Sequence, residues 1–170
     1  MSASTKNSMI INSLEFARKS QEIYGTIAAS DLLRLHDALF SAAGELQYQL
    51  SGGLSEERKP QLRLRVQGSL QLSCQRCLEA MEFKLDLDSS FIIVPDEASM
   101  PLVEEELDDE DYLVANVQMR IAELIEDEVL LGLPLAPTHS TETCSASAKL
   151  NTLKKVSPFA VLHGLKTSKR

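Results

Sequence analysis

The 170-residue sequence contains no tryptophan, and only 5% of its residues are aromatic. We therefore expect a core built from leucine, isoleucine and valine. No apolar run approaches the roughly 20 residues that span a bilayer, since the longest, residues 129–136, is interrupted by Pro134. Residues 1–8 are polar and lack the apolar centre of a signal peptide. These absences predict a cytoplasmic protein with no membrane partner.

Motifs of the common enzyme classes are missing as well. The chain has no Gly-rich phosphate loop, no G-x-S-x-G nucleophile elbow and no H-E-x-x-H metal motif. Its histidines, His36, His139 and His163, are scattered, and no pair of carboxylates is marked as an acid and a base. We therefore predict a protein that is not an enzyme.

Cysteine is scarce, and an odd number of three does not suit the disulfide framework of a secreted domain. In a reducing cytosol such thiols are free, bound to a metal or redox-active.

Hydrophobic residues make up 44% of the chain and the mean hydropathy is -0.10, as in soluble globular proteins. The length suits one domain with tails.

Charge of either sign is unevenly distributed. The net charge is -8, but residues 145–170 hold six bases and no acid, so 11 bases against 25 acids leave -14 for the remainder. Nine acids fall within residues 96–111. These patterns predict a single α+β domain over residues 1–144 with an acidic loop near 96–111. They also predict a basic tail over 145–170, in which Ser157 and Pro158 open a short helix. The tail is either a solvated end or a segment that meets nucleic acid or another acidic surface.

Two segments that alternate apolar and polar residues flank a Cys-x-x-Cys turn. The apolar positions before the turn are Leu62, Leu64, Val66, Leu70 and Leu72, and those after it are Met81, Phe83, Leu85, Leu87 and Phe91. A period of two predicts two half-buried strands joined as a hairpin. Pairing Leu72 with Phe83 places every large apolar side chain on one face, so we expect that register.

Further elements are predicted around this hairpin. They are a short helix through residues 12–19, a strand at 24–28, a helix at 31–40, a strand at 46–50 ended by Ser51-Gly52-Gly53, and a helix at about 119–131. We expect an α+β fold in which an antiparallel sheet of at least three strands, open or curled into a partial barrel, is packed by a few helices. Glu128 falls on the apolar stripe of the last helix. Its carboxylate either reaches water or a nearby base, or forms a salt bridge that docks the helix on the sheet.

The Cys-x-x-Cys turn has three interpretations. In the first, Cys74 and Cys77 join His139 and Cys144 as a Cys3His set, which suits tetrahedral zinc, the one cofactor that the residues indicate. In the second, the pair is a thiol redox motif, although such pairs usually lie at a helix N-terminus rather than between strands. In the third, the cysteines pack as small apolar side chains.

Four stretches occur in an order that resembles a known family. They are Cys74-Gln75-Arg76-Cys77-Leu78, Leu124-Ile125-Glu126-Asp127-Glu128-Val129-Leu130-Leu131-Gly132-Leu133-Pro134, the segment from Pro137-Thr138-His139 to Cys144, and Ser157-Pro158-Phe159-Ala160-Val161-Leu162. Together with Tyr24-Gly25 they resemble the bacterial YceD family, the large ribosomal RNA subunit accumulation proteins, over nearly the whole chain. The resemblance implies a non-enzymatic role in synthesis, processing or stability of 23S ribosomal RNA. Some members have cysteines at both halves, resembling a four-cysteine zinc site, where this chain has His139 and Cys144.

The net charge limits how the chain itself meets RNA. A domain that carries -14 does not attract RNA through its general field, so direct contact requires a local basic patch or the tail. The candidate RNA- or partner-binding bases are Arg58, Lys59, Arg63, Arg65, Arg76, Lys84, Lys154, Lys155 and Lys166. The strand bases form either such a patch or a solvated sheet face with interspersed charges.

We therefore predict a ribosome biogenesis factor. Its expected partners are 23S ribosomal RNA or its precursors, reached directly or through large-subunit ribosomal proteins and assembly factors. The alternative is a protein-interaction module that binds a ribosomal protein or an assembly factor without RNA contact.

Overall fold

The structure, a computed structural model, describes residues 9–101, 111–140 and 143–145. Most of the expected acidic loop, and all but the first residue of the expected basic tail with its short helix, lie outside these described residues. The lysines Lys154, Lys155 and Lys166 lie outside them too.

Eight strands and two helices account for most of the described chain. They are β1 (Ile10–Ile11), α1 (Ser13–Arg18), β2 (Glu22–Ala28), β3 (Leu39–Ser41), β4 (Glu45–Leu54), β5 (Pro60–Ser73), β6 (Ala80–Val94), β7 (Asp111–Val114), β8 (Met119–Arg120) and α2 (Ile121–Gly132). Short 3-10 turns occur at Ala29–Asp31, Leu33–Leu35 and Glu97–Ser99.

The main sheet has six strands in the order β2-β4-β5-β6-β7, and β3 pairs with β5 beyond the end of β4. All of these pairs are antiparallel except β6 with β7, which is parallel. The connection through residues 95–110 is long enough for the crossover that a parallel pair needs. Strands β1 and β8 form a separate two-stranded sheet. The α+β fold built on an antiparallel sheet is confirmed, and the described strands do not close into a barrel.

The core lies on one face of the main sheet. Leucines of β4 and β5, such as Leu46, Leu50 and Leu64, are fully buried there. Helix α1, helix α2 and the 3-10 turns near residue 33 cover this face through their apolar side chains, which are Phe16, Ala17, Leu32, Leu35, Ile121, Leu124, Ile125 and Val129. The opposite face of the central strands carries the alternate, polar residues, as a period of two requires.

The hairpin of β5 and β6 forms as predicted, but its register differs by two residues. Leu72 lies opposite Met81, and Leu70 lies opposite Phe83. The predicted faces are right because a shift of two residues preserves the side on which each side chain lies. The predicted partners are wrong because the ladder starts closer to the turn, at the pair of Ser73 with Ala80.

Two other predicted elements are corrected. Residues 31–40 do not form a helix, because Leu39 pairs with Leu72 of β5 and the preceding residues make 3-10 turns. Tertiary strand pairing here overrides a helical pattern. The strand at residues 46–50 does not end at Ser51, since β4 continues to Leu54. The short first helix is confirmed, with the Asn12 side chain accepting a 3.1 Å bond from the Glu15 amide at its N-terminus.

Gly52 explains why a glycine pair lies inside β4 rather than after it. A Cβ at Gly52 would lie 2.5 Å from the carbonyl oxygen of Phe16 and 2.8 Å from the Cα of Ala17. The backbone of α1 therefore rests directly on this strand, and the Gly52 amide donates to the Gln21 carbonyl at 2.8 Å. A Cβ at the neighbouring Gly53 would meet nothing within 4 Å.

The pair of glycines gives a matched test of this contact. We expect Gly52→Ala to lower the free energy of unfolding by about 1–3 kcal/mol, because the methyl group meets backbone that cannot rotate away. Gly53→Ala should leave it unchanged or raise it by up to about 1 kcal/mol, since only unfolded-chain entropy is altered. Urea denaturation followed by circular dichroism measures both. Equal effects of the two substitutions would contradict the close approach of α1.

Candidate functional site

The turn between β5 and β6 places two cysteines at the tip of the hairpin. The Cys74 amide donates to the Glu79 carbonyl at 3.0 Å, and the Leu78 amide donates to the Cys74 carbonyl at 2.8 Å. Leu78 has a φ of 61°, in the left-handed region, which lets the chain turn back into β6. Cys74 is buried and Cys77 is half-buried.

The segment after α2 brings the other half of the site. It bends at Leu133, Leu135 and Ala136 and runs back to the hairpin tip. The Gln75 amide donates to the Pro137 carbonyl at 2.8 Å, and the Arg76 guanidinium donates to the carbonyl of His139. These bonds hold the segment against the turn through the segment's own backbone carbonyls.

The predicted Cys3His set is thereby assembled. One ligand atom each from Cys74, Cys77, His139 and Cys144 lies within 4.8 Å of all the others. Cys144 is buried, and its amide donates to the Ser140 carbonyl at 3.1 Å. The described residues thus contain a group that could bind a metal ion.

The His139 ring is held in a defined orientation. Its Nε2 lies 3.0 Å from the Ala80 carbonyl oxygen, and its Nδ1 lies 3.4 Å from Cys77 Sγ. A carbonyl oxygen only accepts hydrogen bonds, so Nε2 carries the proton in that contact. In the neutral ring the lone pair of Nδ1 then faces the cysteines.

Hydrogen bonds around the turn favour negatively charged sulfur. Burial raises the pKa of the Cys74 thiol, but bonds from the backbone amides of His139, Cys77 and Arg76 outweigh it and lower the pKa to about 5. The Cys77 sulfur, in turn, raises the pKa of His139. Thiolate is the form of cysteine that binds metals and that attacks disulfides, so the turn is chemically competent for either role.

The acidic triplet of α2, residues 126–128, fixes the helix to two parts of the fold. Glu126 is buried and accepts a 2.6 Å bond from the Arg34 backbone amide, while Asp127 pairs with the Arg34 guanidinium. Glu128 accepts a 2.5 Å bond from the Ser89 hydroxyl of β6. No salt bridge of Glu128 with a base occurs among the described residues, and its hydrogen-bond partner there is the Ser89 hydroxyl. No pattern in the sequence indicated Arg34 or Ser89 as partners of these carboxylates.

A groove lies beside α2, between its last turns and β7. Its walls combine apolar side chains with carboxylates, and they include Phe91, Met100, Tyr112 and Leu131 together with Asp111, Asp127 and Glu128. Leu131 is 81% exposed although it is apolar. This mixture of exposed leucine and negative charge marks a second candidate surface, which the sequence analysis did not single out.

The candidate bases do not converge on one patch in the described structure. Asp88 accepts from Arg63 at 2.6 Å and from Arg65 at 3.0 Å, so one carboxylate serves both arginines on the polar sheet face. Lys59 pairs with a neighbouring glutamate, Glu57, at 2.7 Å.

The remaining described bases are spread along the hairpin. Lys84 is exposed opposite Ser69, not opposite Gln71 as the predicted register implied. Arg58 and Arg76 lie beyond opposite ends of β5, which at about 3.3 Å per residue separates them by roughly 40 Å along the strand.

The fold and the site together define a small α+β protein with an open mixed sheet and a Cys3His group at the tip of its central hairpin. The chain belongs to the YceD family, because the family model described as large ribosomal RNA subunit accumulation protein YceD matches residues 62–166. The chain is also similar to the large ribosomal RNA subunit accumulation protein YceD of Haemophilus influenzae, with 29% identity over an alignment of 171 positions that covers 93% of this chain and 95% of that protein. No solved structure matches the chain. The resemblance of the ordered motifs to this family is confirmed.

Helix α2, the longer of the two helices in the described segments, has 12 residues, and neither helix has the length and apolar content to cross a bilayer.

The burial of Glu128 gives a prediction for the pH dependence of stability. Burial raises its pKa, with the Ser89 bond acting against the shift and with Asp111 and Asp127 adding to it. The folded state therefore holds this proton more tightly than the unfolded state, so the free energy of unfolding falls as pH rises through the range just above the ordinary glutamate pKa. We expect Glu128→Gln to remove that fall and to gain stability relative to wild type as the pH reaches neutrality.

Urea denaturation at a series of pH values measures the difference between variant and wild type. Glu123→Gln, which removes an exposed carboxylate from the same helix, controls for the loss of one negative charge. A difference between Glu128→Gln and wild type that stays constant across this range would contradict the burial effect.

Proposed function

We propose that this chain is a non-enzymatic ribosome biogenesis factor that supports synthesis, processing or stability of 23S ribosomal RNA in the cytoplasm. The family match carries the proposal, because it spans the hairpin, α2 and the Cys/His segment together. The Haemophilus relative, similar along almost its whole length, is named for the accumulation of the same large-subunit RNA.

The composition of the Cys3His group supports a role without catalysis. A tetrahedral metal held by four protein ligands has no open position for a substrate or an activated water, and such closed sites are structural. The group in this chain supplies four ligands, from Cys74, Cys77, His139 and Cys144.

For a direct route to RNA, the bases divide into two groups. Arg63 and Arg65 already bond Asp88, Lys59 pairs with Glu57, and Arg76 bonds a carbonyl oxygen, so each would have to exchange a partner to reach a phosphate. We propose that phosphate contacts are made first by the other candidates, which are Arg58, Lys84, Lys154, Lys155 and Lys166. Phosphate contacts of this kind weaken with salt.

Deletion of the gene tests the function itself. We expect the ratio of 23S to 16S ribosomal RNA to fall and 23S precursors to change in abundance, with both restored by the wild-type gene on a plasmid. Quantitative sequencing and electrophoresis of total RNA measure these changes. An unchanged ratio together with normal precursor levels would refute the proposal.

The groove beside α2 favours a second candidate, a protein-interaction module that holds a ribosomal protein or an assembly factor without touching RNA. Ribosomal proteins are commonly basic, and the groove joins Asp111, Asp127 and Glu128 to the exposed Leu131. A basic segment with an apolar anchor would complement both properties.

Two exposed leucines provide a matched pair of variants for this candidate. Leu131→Lys places a positive charge in the groove, whereas Leu135→Lys makes the same change at a fully exposed residue that does not line it. If a basic protein occupies the groove, the amount of partner recovered by in vivo crosslinking should fall at least about tenfold in Leu131→Lys. The amount recovered with Leu135→Lys should equal that of the wild type. Loss of RNA crosslinks with retention of protein crosslinks in Leu131→Lys would contradict this second candidate.

A further inference from the structure

We propose that Cys74, Cys77, His139 and Cys144 bind one Zn²⁺ ion, and that this ion fastens the segment after α2 to the tip of the β5–β6 hairpin. The inference concerns the chemistry and architecture of the turn and does not depend on the proposed role with 23S ribosomal RNA.

The separations among the four ligand atoms suit a tetrahedral ion. With Zn–S bonds of about 2.3 Å, the sulfur atoms at the corners of a tetrahedron lie about 3.8 Å apart. The atoms of this group are all within 4.8 Å of one another, and Cys77 Sγ is 3.4 Å from His139 Nδ1. A change of about 1 Å or less in the separations between these ligand atoms therefore brings them to the distances found around a tetrahedral zinc ion.

Hydrogen bonds of the chain itself join the two halves of the site. Backbone bonds link Gln75 to Pro137 at 2.8 Å, and the His139 amide lies 3.5 Å from Cys74 Sγ. A pre-formed ligand set loses less conformational entropy on binding than one that must be gathered from separate parts of the chain.

The second contact of His139 distinguishes a ligand from a packed histidine. Metal-binding histidines commonly donate their other ring nitrogen to a carbonyl or a carboxylate, which fixes the tautomer and the ring plane. His139 makes this bond through Nε2 to Ala80, at 3.0 Å, and presents Nδ1 to the sulfur atoms. If the cysteines only packed as apolar groups, they would not need an imidazole held in this orientation.

The donor set selects the class of ion. Three thiolates and one imidazole are soft or borderline ligands that disfavour Mg²⁺ and Ca²⁺, which prefer oxygen. Zinc accepts a tetrahedral Cys3His shell without a redox change. Because all four positions are filled by this chain, the ion acts as a crosslink between the hairpin tip and the residues that follow α2.

Metal analysis of the full-length, untagged protein, purified under reducing conditions without chelator, tests the proposal. We expect about one zinc per chain. Removing the metal with a chelator should lower the thermal midpoint, and adding Zn²⁺ should restore it. Cobalt added to the metal-free protein should give the intense visible bands of tetrahedral thiolate coordination, a readout that needs no variant.

Variants then assign the ligands. Cys77→Ser and His139→Asn should weaken zinc binding by at least about 100-fold in competition with a chromophoric chelator. His36→Asn, a change at an exposed histidine that is not a member of the Cys3His group, should leave zinc binding unchanged. Reduced wild-type protein without zinc and without cobalt bands would overturn the proposal. So would full zinc retention in both ligand variants, or a Cys74–Cys77 disulfide trapped in freshly lysed cells.

Discussion

The long pairing of β5 with β6 is the constraint on which the other elements depend. Its register puts the apolar residues of both strands on one face, so that face must be covered, and α1 and α2 cover it. Strands β4 and β3 pair along the free edge of β5, and β7 pairs along the free edge of β6. The bond from Cys74 to Glu79 closes the turn and sets this register. The same turn therefore determines both the alignment of the sheet and the positions of two sulfur atoms.

The acidic triplet at the end of α2 shows how a helix can be docked by carboxylates without a network of bases. Successive residues of a helix point about 100° apart, so three consecutive side chains can reach two separate parts of the fold. Glu126 and Asp127 meet the 3-10 turn at Arg34, and Glu128 meets β6 at Ser89. Two of the three contacts use a backbone amide or a hydroxyl as the donor. The helix is thereby oriented so that the segment after it runs toward the hairpin tip.

Sequence reasoning predicted the parts of this structure that depend on local periodicity. The hairpin, the short helix capped by Asn12 and the apolar stripe of α2 follow from spacing alone, and the cysteine and histidine types were enough to nominate the Cys3His group. It failed where distant residues decide the outcome. Leu39 pairs with β5, so residues 31–40 do not become a helix. The Gly52 backbone receives α1, so β4 continues where the glycine pair suggested an end. The pairing of Asp88 with two arginines likewise depends on a cross-strand register that the pattern placed two residues away.

The Cys3His group lies at one end of the hairpin, far from the point at which the acidic stretch of sequence joins the described fold. Ser145 follows the Cys3His group directly, and the sequence after it contains six bases. The sequence between Pro101 and Asp111 contains six acids, and Asp111 pairs with Phe91 near the other end of β6. From Ala80 to Phe91 the strand spans roughly 37 Å at about 3.4 Å per residue. The attachment points are therefore separated by several Debye lengths, each about 10 Å at 0.1 M salt. At that distance salt screens charge at one attachment point from charge at the other, so each point presents its own local field to a charged partner.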